Sequence, residues 1–463
     1  MDTPGCAATT GVASLLEGKL AVQVHETGQP GSRLTVVVQK FGGSSVGDAG
    51  KMRLCAQRVI EERRAGKCVV VVVSAMGDAT DDLIALTRSA ADVPDRRELD
   101  QILATGEQVS VGMMAIVLQG LGVPAVSLTG AQAGIRTDAA FGRAMIEGVD
   151  TTRLIAELRG GRVPVVCGFQ GVTAVGEITT LGRGGSDTTA VALAAALIEG
   201  GHSASCDIYK DVEGVYTADP RVVPEARRRE VVTYDEMLEA AALGAQVIHP
   251  RAVELAKKFG APLRVLHSHR PGGTDTGTLV LPEDPSMESR VVSSVVLKRN
   301  VGRVSLRGLR NRAGVQATVF GPIAASGISV DDIIQEDDGP GTINLTFTFD
   351  RHDLAEMTPI VHRIAAAEAE GSGAPPQAVR FDVGLSTVSA VGAGMRTSAG
   401  VAAMLFDAMA AEKIQIENIT TSEIRISCVV AEKDGERALR AMHQAFGLAS
   451  PVTEAERAAR ATR

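Results

Sequence analysis

The chain has 463 residues, of which 45% are hydrophobic and 22% charged, as in globular proteins with several domains. Its net charge of -8 and its 3% content of aromatic residues disfavour nucleic acid and anionic membranes as main partners. The six cysteines are scattered without paired spacing, which argues against a zinc site and favours a reducing, cytoplasmic location. We expect no membrane span, because no apolar run reaches the roughly 18 residues that one needs. Residues 1–33 lack the pattern of a signal peptide, and we expect a disordered extension there.

The first ordered stretch is a short β-branched run at 34–39, which predicts a buried strand. Lys40 follows it, then Gly42 and Gly43, and a helical pattern covers 48–65. The backbone amides of such a glycine turn can hold phosphate oxygens, and the lysine can reach a transferred group. The spacing is not that of a Walker A loop. The alternative is a plain strand end with a solvated lysine.

Further apolar strands alternate with helices, which indicates an α/β fold with a mainly parallel sheet and helices on both faces. The predicted strands are 67–74, 124–128, 163–167 and 207–209, and a long helix covers 98–118. Ligands bind such sheets at the carboxyl ends of the strands. We therefore expect the residues that follow strand ends to share one rim: Lys40, Ser74, Phe169 and Lys210.

The most informative stretch is the glycine-rich turn at 179–190, with the sequence TTLGRGGSDTTA. Its glycines let the backbone approach a ligand, and an alanine-rich helix follows. Ser186 or Asp187 can cap this helix, whose free amides would face the turn and can bind an anion. Arg183 adds a fork suited to a carboxylate or phosphate. The alternative is an ordinary strand–turn–helix corner.

A second dense loop covers 209–221, where Tyr216 could cover an adenine and Arg221 could meet phosphates. A well-packed turn without ligand contacts is an equally good interpretation. A helix is predicted at 234–243, and 262–267 is expected to be the last strand of this region. The loop-rich segments 272–277 and 282–286 are the best candidates for a domain boundary.

An internal repeat follows residue 290. Gly314 corresponds to Gly400, Phe320 to Phe406 and Ile328 to Ile414, always at the same offset. Each copy is predicted to run strand, helix, strand, strand, helix, strand.

Taken together, these stretches resemble the aspartokinases of the amino acid kinase superfamily, and the repeat resembles a tandem pair of ACT domains. The matching motifs are KFGGSSV at 40–46, TGEQVS at 105–110, SLTGAQAGIRTD at 127–138, GFQG at 168–171, TTLGRGGSDTTA at 179–190, DVEGVYTADPR at 211–221, GAQVIHPRAVE at 244–254 and TTSEIRISCVV at 420–430. The resemblance implies an αβα sandwich with a mainly parallel sheet, followed by two ferredoxin-like α+β ACT domains.

The domain boundaries implied by the resemblance are a disordered extension at 1–33 and a catalytic domain at 34–282. The first ACT domain would cover 299–376 and the second 377–450. The first strand of the second ACT domain would come from 289–298, so that the first ACT domain is an insertion in the second.

The implied reaction is phosphoryl transfer from ATP to the β-carboxylate of L-aspartate, giving 4-phospho-L-aspartate for lysine, threonine, methionine and isoleucine synthesis. A carboxylate is already ionised near neutral pH, so no strong general base is needed. The protein has to align two anions and offset their repulsion. Mg²⁺ would be held largely by ATP oxygens.

The resemblance also implies roles for single residues. Lys40 would stabilise the γ-phosphoryl charge, and Asp187 would orient Lys40. Glu107 would face the substrate ammonium group and Arg183 its α-carboxylate. The full aspartate set would be Thr80, Glu107, Phe169, Arg183 and Ser186. The full ATP set would be Lys40, Gly42, Gly43, Ser44, Ser74, Lys210, Asp211, Tyr216, Arg221 and Gln246.

Two positions depart from the family pattern. Lys210 stands where threonine or serine is common, and Gln246 stands where a nucleotide-contacting lysine is usual. One hypothesis is that Lys210 replaces the missing cation at the ATP phosphates. The other is drift at two tolerant positions.

The ACT pair implies feedback by lysine, threonine or both, and a homodimer or larger assembly through ACT pairing. The expected effector residues are Asn311, Ala313, Gly314, Val315, Ile328, Val330, Gln335, Thr421, Ser422 and Glu423. Met287 stands where some relatives start a separate short regulatory subunit, although a lone Met near a boundary is usually only a residue.

Two rival functions stay open at this point. One is a different acyl-phosphate or nucleotide kinase of the same superfamily. The other is an amino-acid sensor with a decayed kinase, which the presence of Lys40, Arg183 and Asp187 disfavours.

Overall fold

A computed structural model describes residues 33–244, 247–269, 277–282, 291–372, 378–396, 398 and 400–449. The predictions for residues 1–32, Gln246 and Met287 lie outside these ranges. The described chain forms two compact units. The first holds the residues up to Val215, Arg228–Ala242 and the described part of Gln246–Glu288. The second holds Tyr216–Arg227, Leu243 and Gly244, and the described residues after Ser289.

The first unit contains twelve strands and seven helices within the described residues. Its strands are β1 (Thr35–Phe41), β2 (Cys68–Val73), β3 (Ala125–Leu128), β4 (Ile135–Thr137), β5 (Ile146–Val149), β6 (Val163–Cys167), β7 (Gln170–Val172), β8 (Ile178–Thr180), β9 (Ser203–Lys210), β10 (Val231–Thr233), β11 (Leu263–His267) and β12 (Thr278–Leu281). Its helices are α1 (Ala49–Arg64), α2 (Ala79–Ala90), α3 (Arg96–Gly120), α4 (Thr152–Arg159), α5 (Gly185–Glu199), α6 (Tyr234–Ala242) and α7 (Pro250–Phe259).

The main sheet of the first unit has eight strands in the order β10-β12-β11-β9-β1-β2-β6-β3. All neighbours pair in parallel except β11 and β12. The valines of β2 are fully buried and alternate between two apolar clusters, one packed by α5 and the other by α1 and α3. The predicted α/β fold, with a mainly parallel sheet and helices on both faces, is confirmed.

Two details of the first unit differ from the sequence prediction. The strand at 262–267 is not the last, because β12 follows it and pairs with β11. A second sheet has four short strands in the order β5-β4-β7-β8. Its strands β7 and β8 lie between the end of β6 and the glycine-rich turn. Strands of three or four residues are too short to show an alternating pattern, which is why the sequence did not reveal them.

Helix α3 is long and apolar enough to cross a membrane, by length and composition alone. Half of its apolar window is buried inside the structure, and Val111, Met114 and Leu118 pack in the core of the first unit. The helix also carries the buried carboxylates Asp100 and Glu107. We therefore interpret α3 as a core helix of the first unit.

The second unit is built on one antiparallel sheet of six strands, in the order β14-β15-β13-β16-β18-β17. Its strands are β13 (Ser294–Arg310), β14 (Val330–Asp337), β15 (Thr342–Asp350), β16 (Val379–Val391), β17 (Ile416–Ser422) and β18 (Arg425–Ala431). Its helices are α8 (Val315–Ala325), α9 (Leu354–Ser372), α10 (Val401–Ala411) and α11 (Gly435–Ala445).

The two copies of the repeat share the long strands β13 and β16. The first half of β13 pairs with the second half of β16, in the copy that contains β17 and β18. The second half of β13 pairs with β15 and with the first half of β16, in the copy that contains β14. Each copy thus has the four-stranded, two-helix arrangement of a ferredoxin-like domain, and each uses a different half of both long strands.

The segment Tyr216–Arg227 packs in the second unit, although the sequence assigns it to a kinase motif. Ala218, Val222 and Val223 belong to the apolar cluster of the second copy. The Thr217 hydroxyl lies 2.9 Å from Nε2 of His443, and the backbone N–H of Val295 donates to the Thr217 carbonyl at 2.8 Å.

Candidate active site

The residues predicted to share a rim do so. Lys40 is the last residue but one of β1, and Lys210 ends β9. Ser74 directly follows β2, and Phe169 is the second residue after β6. The order β9-β1-β2-β6 makes these strands immediate parallel neighbours, so their carboxyl ends lie side by side.

The turn after β1 packs tightly on the loop after β2. The N–H of Gly77 donates to the carbonyl of Gly43 at 3.1 Å. A Cβ on Gly43 would lie 2.8 Å from the Ala75 carbonyl oxygen, closer than real Cβ atoms come. Gly43 is therefore required by close packing, and Ser44 beside it stays exposed. The arrangement leaves a backbone-lined turn next to Lys40.

A buried carboxylate links the two glycine-rich turns. The Lys40 ammonium lies 2.7 Å from Oδ1 of Asp187, and both side chains are almost fully buried. Lys210 lies 3.6 Å from Oδ2, and the backbone N–H of His249 donates to that oxygen at 3.4 Å.

The pKa values of this cluster follow from burial and charge. Burial alone would raise the pKa of Asp187, but the ammonium groups of Lys40 and Lys210 outweigh it and hold that pKa below its usual range. Burial, and then the charge of Lys40, lower the pKa of Lys210. Two cations facing one anion leave an excess of positive charge, which suits an anionic ligand.

The glycine-rich turn joins β8 to α5. The prediction that Ser186 or Asp187 caps this helix was wrong: the cap is Gly184, with a left-handed φ of 70°. A side chain at Gly184 would also collide with the ring of His249, since a Cβ would lie 2.1 Å from Cγ. Ser186 and Asp187 are instead in the first helical turn, where their backbone N–H groups have no partner within the helix. Arg183, between Gly182 and Gly184, is exposed. The anion site predicted for this turn stays a prediction, for which these backbone amides and Arg183 are the available donors.

Glu107 projects from α3 and is buried, with 2% of its surface exposed. Its Oε1 accepts a hydrogen bond from the Ala75 N–H at 3.1 Å, while Oε2 is buried without a hydrogen-bond partner among the described residues. Burial raises the pKa of Glu107 to about 7. A buried carboxylate oxygen without a partner suits a cationic ligand group. Thr80 lies in the first turn of α2, which follows the same loop.

Phe169 has a positive φ of 68°, an uncommon conformation for a bulky residue. The Thr189 hydroxyl accepts from its N–H at 3.2 Å, and its carbonyl accepts from the Leu181 N–H at 2.8 Å. Its ring fills the space over Gly185. Close by, the Ser74 and Ser186 hydroxyls are 3.0 Å apart, which connects the loop after β2 to α5.

Some residues of the predicted ATP set are not among the residues described so far in the first unit. Tyr216 and Arg221 belong to the second unit. There Tyr216 packs against the apolar cluster, and the Arg221 guanidinium pairs with Asp219 at 2.8 Å. Asp211 directly follows β9 and is exposed, and Gln246 lies outside the described residues.

The predicted effector residues lie in three segments of the second unit. Asn311, Ala313 and Gly314 form the turn before α8, which Val315 opens. Ile328, Val330 and Gln335 lie before and on β14, and the Gln316 amide donates to Oε1 of Gln335 at 2.7 Å. Thr421 and Ser422 end β17, and Glu423 lies in the turn to β18. The hydroxyl of Thr420 donates to Asp332 on β14 at 2.8 Å, which joins the two outer strands of the sheet.

Sequence reasoning missed three residues that hold the turn in place: Asp100, His249 and Arg251. His249 caps α7 by accepting from the Arg251 N–H at 3.4 Å. The His-Pro pair at 249–250 could have predicted this helix start, because Pro is favoured in a first turn. Asp100 lies near the start of a long helix, and no motif around it indicated its contacts.

Known families and proteins match this chain over nearly all of its length. The sequence profile of the amino acid kinase family matches residues 35–267, and ACT domain profiles match 304–366 and 388–446. The aspartokinase of Pseudomonas aeruginosa is 46% identical over 91% of this chain and 100% of its own length. Aspartokinase 2 of Bacillus subtilis is 45% identical over 89% of this chain and 98% of its own.

Solved structures agree with these matches. E. coli aspartokinase III in complex with aspartate and ADP, in the R-state, superposes with a TM-score of 0.73 at 26% identity. The match covers 89% of this chain and 99% of that one. The same enzyme with lysine and aspartate, in the T-state, gives a TM-score of 0.69 at 27% identity, over 89% of this chain and 99% of that one.

We expect the Glu107 carboxyl to titrate near pH 7, because burial raises its pKa from 4.5 to about 7. The folded state then holds a proton that the unfolded state releases, so this group's contribution to stability falls as pH rises from 4.5 towards 7. Carbon-13 NMR of glutamate-labelled protein measures the titration, and Glu107→Gln assigns the signal by its loss. The exposed Glu147→Gln is the control and should leave the signal in place. A Glu107 titration near 4.5 would contradict the prediction.

Proposed function

Since this chain belongs to the amino acid kinase family and, within it, to the aspartokinases, we propose that the rim of the first unit binds ATP and L-aspartate side by side. The enzyme is an ATP:L-aspartate 4-phosphotransferase. It transfers the γ-phosphoryl group of ATP to the β-carboxylate of L-aspartate, which gives 4-phospho-L-aspartate, the first step towards lysine, threonine, methionine and isoleucine. The observation that supports the placement is the Asp187 carboxylate, held between Lys40 and Lys210 where both glycine-rich turns meet.

We assign charge stabilisation to Lys40 and positioning to Asp187. The β-carboxylate of aspartate is already an anion at neutral pH, so the barrier is the approach of two anions rather than proton removal. A buried cation reduces that repulsion more effectively than one in water, because the surroundings screen it less. Asp187 fixes the Lys40 ammonium through the 2.7 Å contact and so keeps its position defined before the ligands arrive.

The aspartate half of the site is assigned to the glycine-rich turn and to α3. Arg183 would clamp the α-carboxylate, supported by the free amides at the start of α5. The ionised form of Glu107, favoured above about pH 7, would pair with the ammonium group. Phe169, Thr80 and Ser186 would line the remaining space.

The nucleotide half is assigned to the two turns beside Lys40. Gly42, Gly43 and Ser44 would offer backbone amides to phosphate oxygens, and Ser74 closes the neighbouring loop. Lys210 and Asp211 follow the adjacent strand. Tyr216 and Arg221 are assigned to the nucleotide set only by their position in the DVEGVYTADPR motif. Gln246 is assigned to it only by its position in the family pattern.

ATP is the phosphoryl donor, and the E. coli relative carries ADP with aspartate. Among the described residues, no group of three or more histidine, cysteine, aspartate or glutamate side chains is placed to hold a metal ion. We propose that Mg²⁺ would be held largely by the oxygens of ATP, where it would reduce the negative charge of the phosphates.

The second unit is proposed as the regulatory half. We assign the catalytic domain to 34–282, the first ACT domain to 299–376, and the second to 377–450 with a strand from 289–298. The complex of E. coli aspartokinase III with lysine supports lysine, alone or with threonine, as the effector. We further propose a cytoplasmic homodimer or larger assembly through ACT pairing. An internal start at Met287 would give a short regulatory subunit.

A hydroxamate assay tests the function. With Mg-ATP, we expect aspartyl hydroxamate and ADP to form with aspartate but not with glutamate or N-acetylglutamate. Activity with one of the latter would favour another kinase of the superfamily. No ADP release, with retained lysine or threonine binding, would favour a sensor without catalysis.

Arg183→Ala is expected to raise the aspartate KM at least about tenfold and to change the ATP KM little, because a lost charged clamp costs about 1.5–3 kcal/mol. Steady-state kinetics with each substrate varied in turn gives both constants. Arg159→Ala, which removes an exposed arginine at the end of α4, is the control and should change neither. A larger effect on the ATP KM would overturn the assignment of this turn to aspartate.

Lys210→Thr, which restores the residue common in the family, is expected to raise the ATP KM or lower kcat about tenfold, because a phosphate-facing cation is lost. Adding Gln246→Lys should recover most of the loss if the two positions compensate. The exposed Lys258→Thr serves as control. Unchanged kinetics in Lys210→Thr would show that the two substitutions are drift.

A further inference from the structure

We propose that Asp100 and Arg251 are positioning residues for aspartate binding, which act by fixing the backbone of the turn that carries Arg183. The inference rests on the proposed role of that turn as the aspartate site. It concerns two charged side chains that the family motifs do not single out for catalysis, and that come from helices far apart in the chain.

Asp100 holds the strand that leads into the turn. Its side chain is fully buried, with 0% exposed, near the N-terminal end of α3. Oδ2 accepts from the N–H of Thr180 at 2.8 Å and from the N–H of Gly142 at 2.9 Å. Oδ1 accepts from the Thr180 hydroxyl at 2.6 Å. Three donors thus converge on one carboxylate, and they come from two separate backbone segments.

Arg251 also holds the turn, but it donates hydrogen bonds to backbone carbonyls, whereas Asp100 accepts them from N–H groups. It lies in the first turn of α7, where His249 and Pro250 fix the start of the helix. One terminal nitrogen of its guanidinium donates to the carbonyl of Leu181 at 2.6 Å, and the other donates to the carbonyl of Ala144 at 3.0 Å. A guanidinium can bridge two carbonyls in this way because its donors form a rigid, planar fork.

The two side chains connect the same pair of segments, 142–144 and 180–181. Asp100 takes an N–H from each segment, and Arg251 donates to a carbonyl of each. Between them, the N–H of Ala144 donates directly to the carbonyl of Thr180 at 2.9 Å. On one side of this network, the backbone groups belong to Thr180 and Leu181, the two residues immediately before Gly182. The entrance to the turn is therefore fixed against the segment 142–144.

This restraint matters because the turn itself is flexible by composition. Gly182, Gly184 and Gly185 allow many backbone conformations, and ordering them costs conformational entropy. Arg183 lies in the middle of these glycines, two residues after Leu181. A small displacement at Leu181 would move the guanidinium relative to Glu107 and Lys40, and a misplacement of about 1 Å can cost about 100-fold in rate or binding.

A purely structural role makes a different prediction. Buried charges are poor stabilisers, because desolvation offsets most of their attraction, and their removal often lowers stability without selectivity. If Asp100 and Arg251 only stabilised the first unit, variants that remain folded would keep both substrate constants. If they position Arg183, folded variants lose aspartate affinity and keep ATP affinity.

The experiment compares Asp100→Asn, Arg251→Met and Arg251→Lys with wild-type full-length protein. We expect Asp100→Asn and Arg251→Met to raise the aspartate KM about 10- to 100-fold, with the ATP KM changed less than about twofold. Arg251→Lys keeps the charge but cannot span both carbonyls, and should fall between Arg251→Met and wild type. If Asp100→Asn fails to fold, the comparison of Arg251→Lys with wild type still tests the proposal. The Tm of every variant is measured to show that it is folded.

Glu157→Gln is the matched control. Glu157 is a buried carboxylate of the same unit, paired with Arg153 at 2.6 Å on α4, and its neighbours Leu154 and Leu158 pack in the core. It should lower Tm and leave the aspartate KM unchanged. An unchanged aspartate KM in folded Arg251→Lys and Arg251→Met would overturn the proposal, and so would equal increases of both substrate constants.

The parallel assay of Arg183→Ala separates this proposal from the function on which it rests. If Arg183→Ala raises the aspartate KM while the Asp100 and Arg251 variants do not, only the positioning proposal fails. If wild-type protein shows no aspartate-dependent ADP release, the proposed function fails first.

Discussion

The structure of the first unit depends on one contact, the ion pair between Lys40 and Asp187. Lys40 lies near the end of a central strand and Asp187 lies in the first turn of a central helix, so the contact connects the two glycine-rich turns. Neither group can be buried alone without a large desolvation cost, and the pair therefore ties the two elements together. Lys210 on the next strand adds a second cation at 3.6 Å, which leaves the site positively charged. A site that binds two anions needs this excess charge, and the sheet supplies it from adjacent strand ends.

The sequence predicted the frame of this site because local patterns determine it. Continuous valine runs become strands that are buried on both faces, and glycines after strands become turns. Once strands β9, β1, β2 and β6 are parallel neighbours, their carboxyl ends have to share an edge. The rim of Lys40, Ser74, Phe169 and Lys210 could thus be predicted from strand ends alone. The tandem ACT arrangement could be predicted as well, since the repeat offset is constant.

Long-range contacts could not be predicted in this way. The N-terminal cap of α5 falls on Gly184 and not on Ser186 or Asp187, because the ring of His249 occupies the space that a side chain would need. Asp100 sits within a helical pattern and contacts residues that are distant in sequence. The segment Tyr216–Arg227 looks like a kinase loop by motif, yet its apolar residues complete the cluster of the second unit. In each case the outcome depends on which surfaces meet in three dimensions.

The shared strands β13 and β16 have a consequence for how the two copies can move. The first copy is a continuous stretch of chain between the first half of β13 and the second half of β16, and the second copy uses those two outer halves. One hydrogen-bonded sheet therefore runs through both copies. A change of twist in either long strand would reach both copies at once, so they are mechanically coupled through their backbones and cannot move as independent modules.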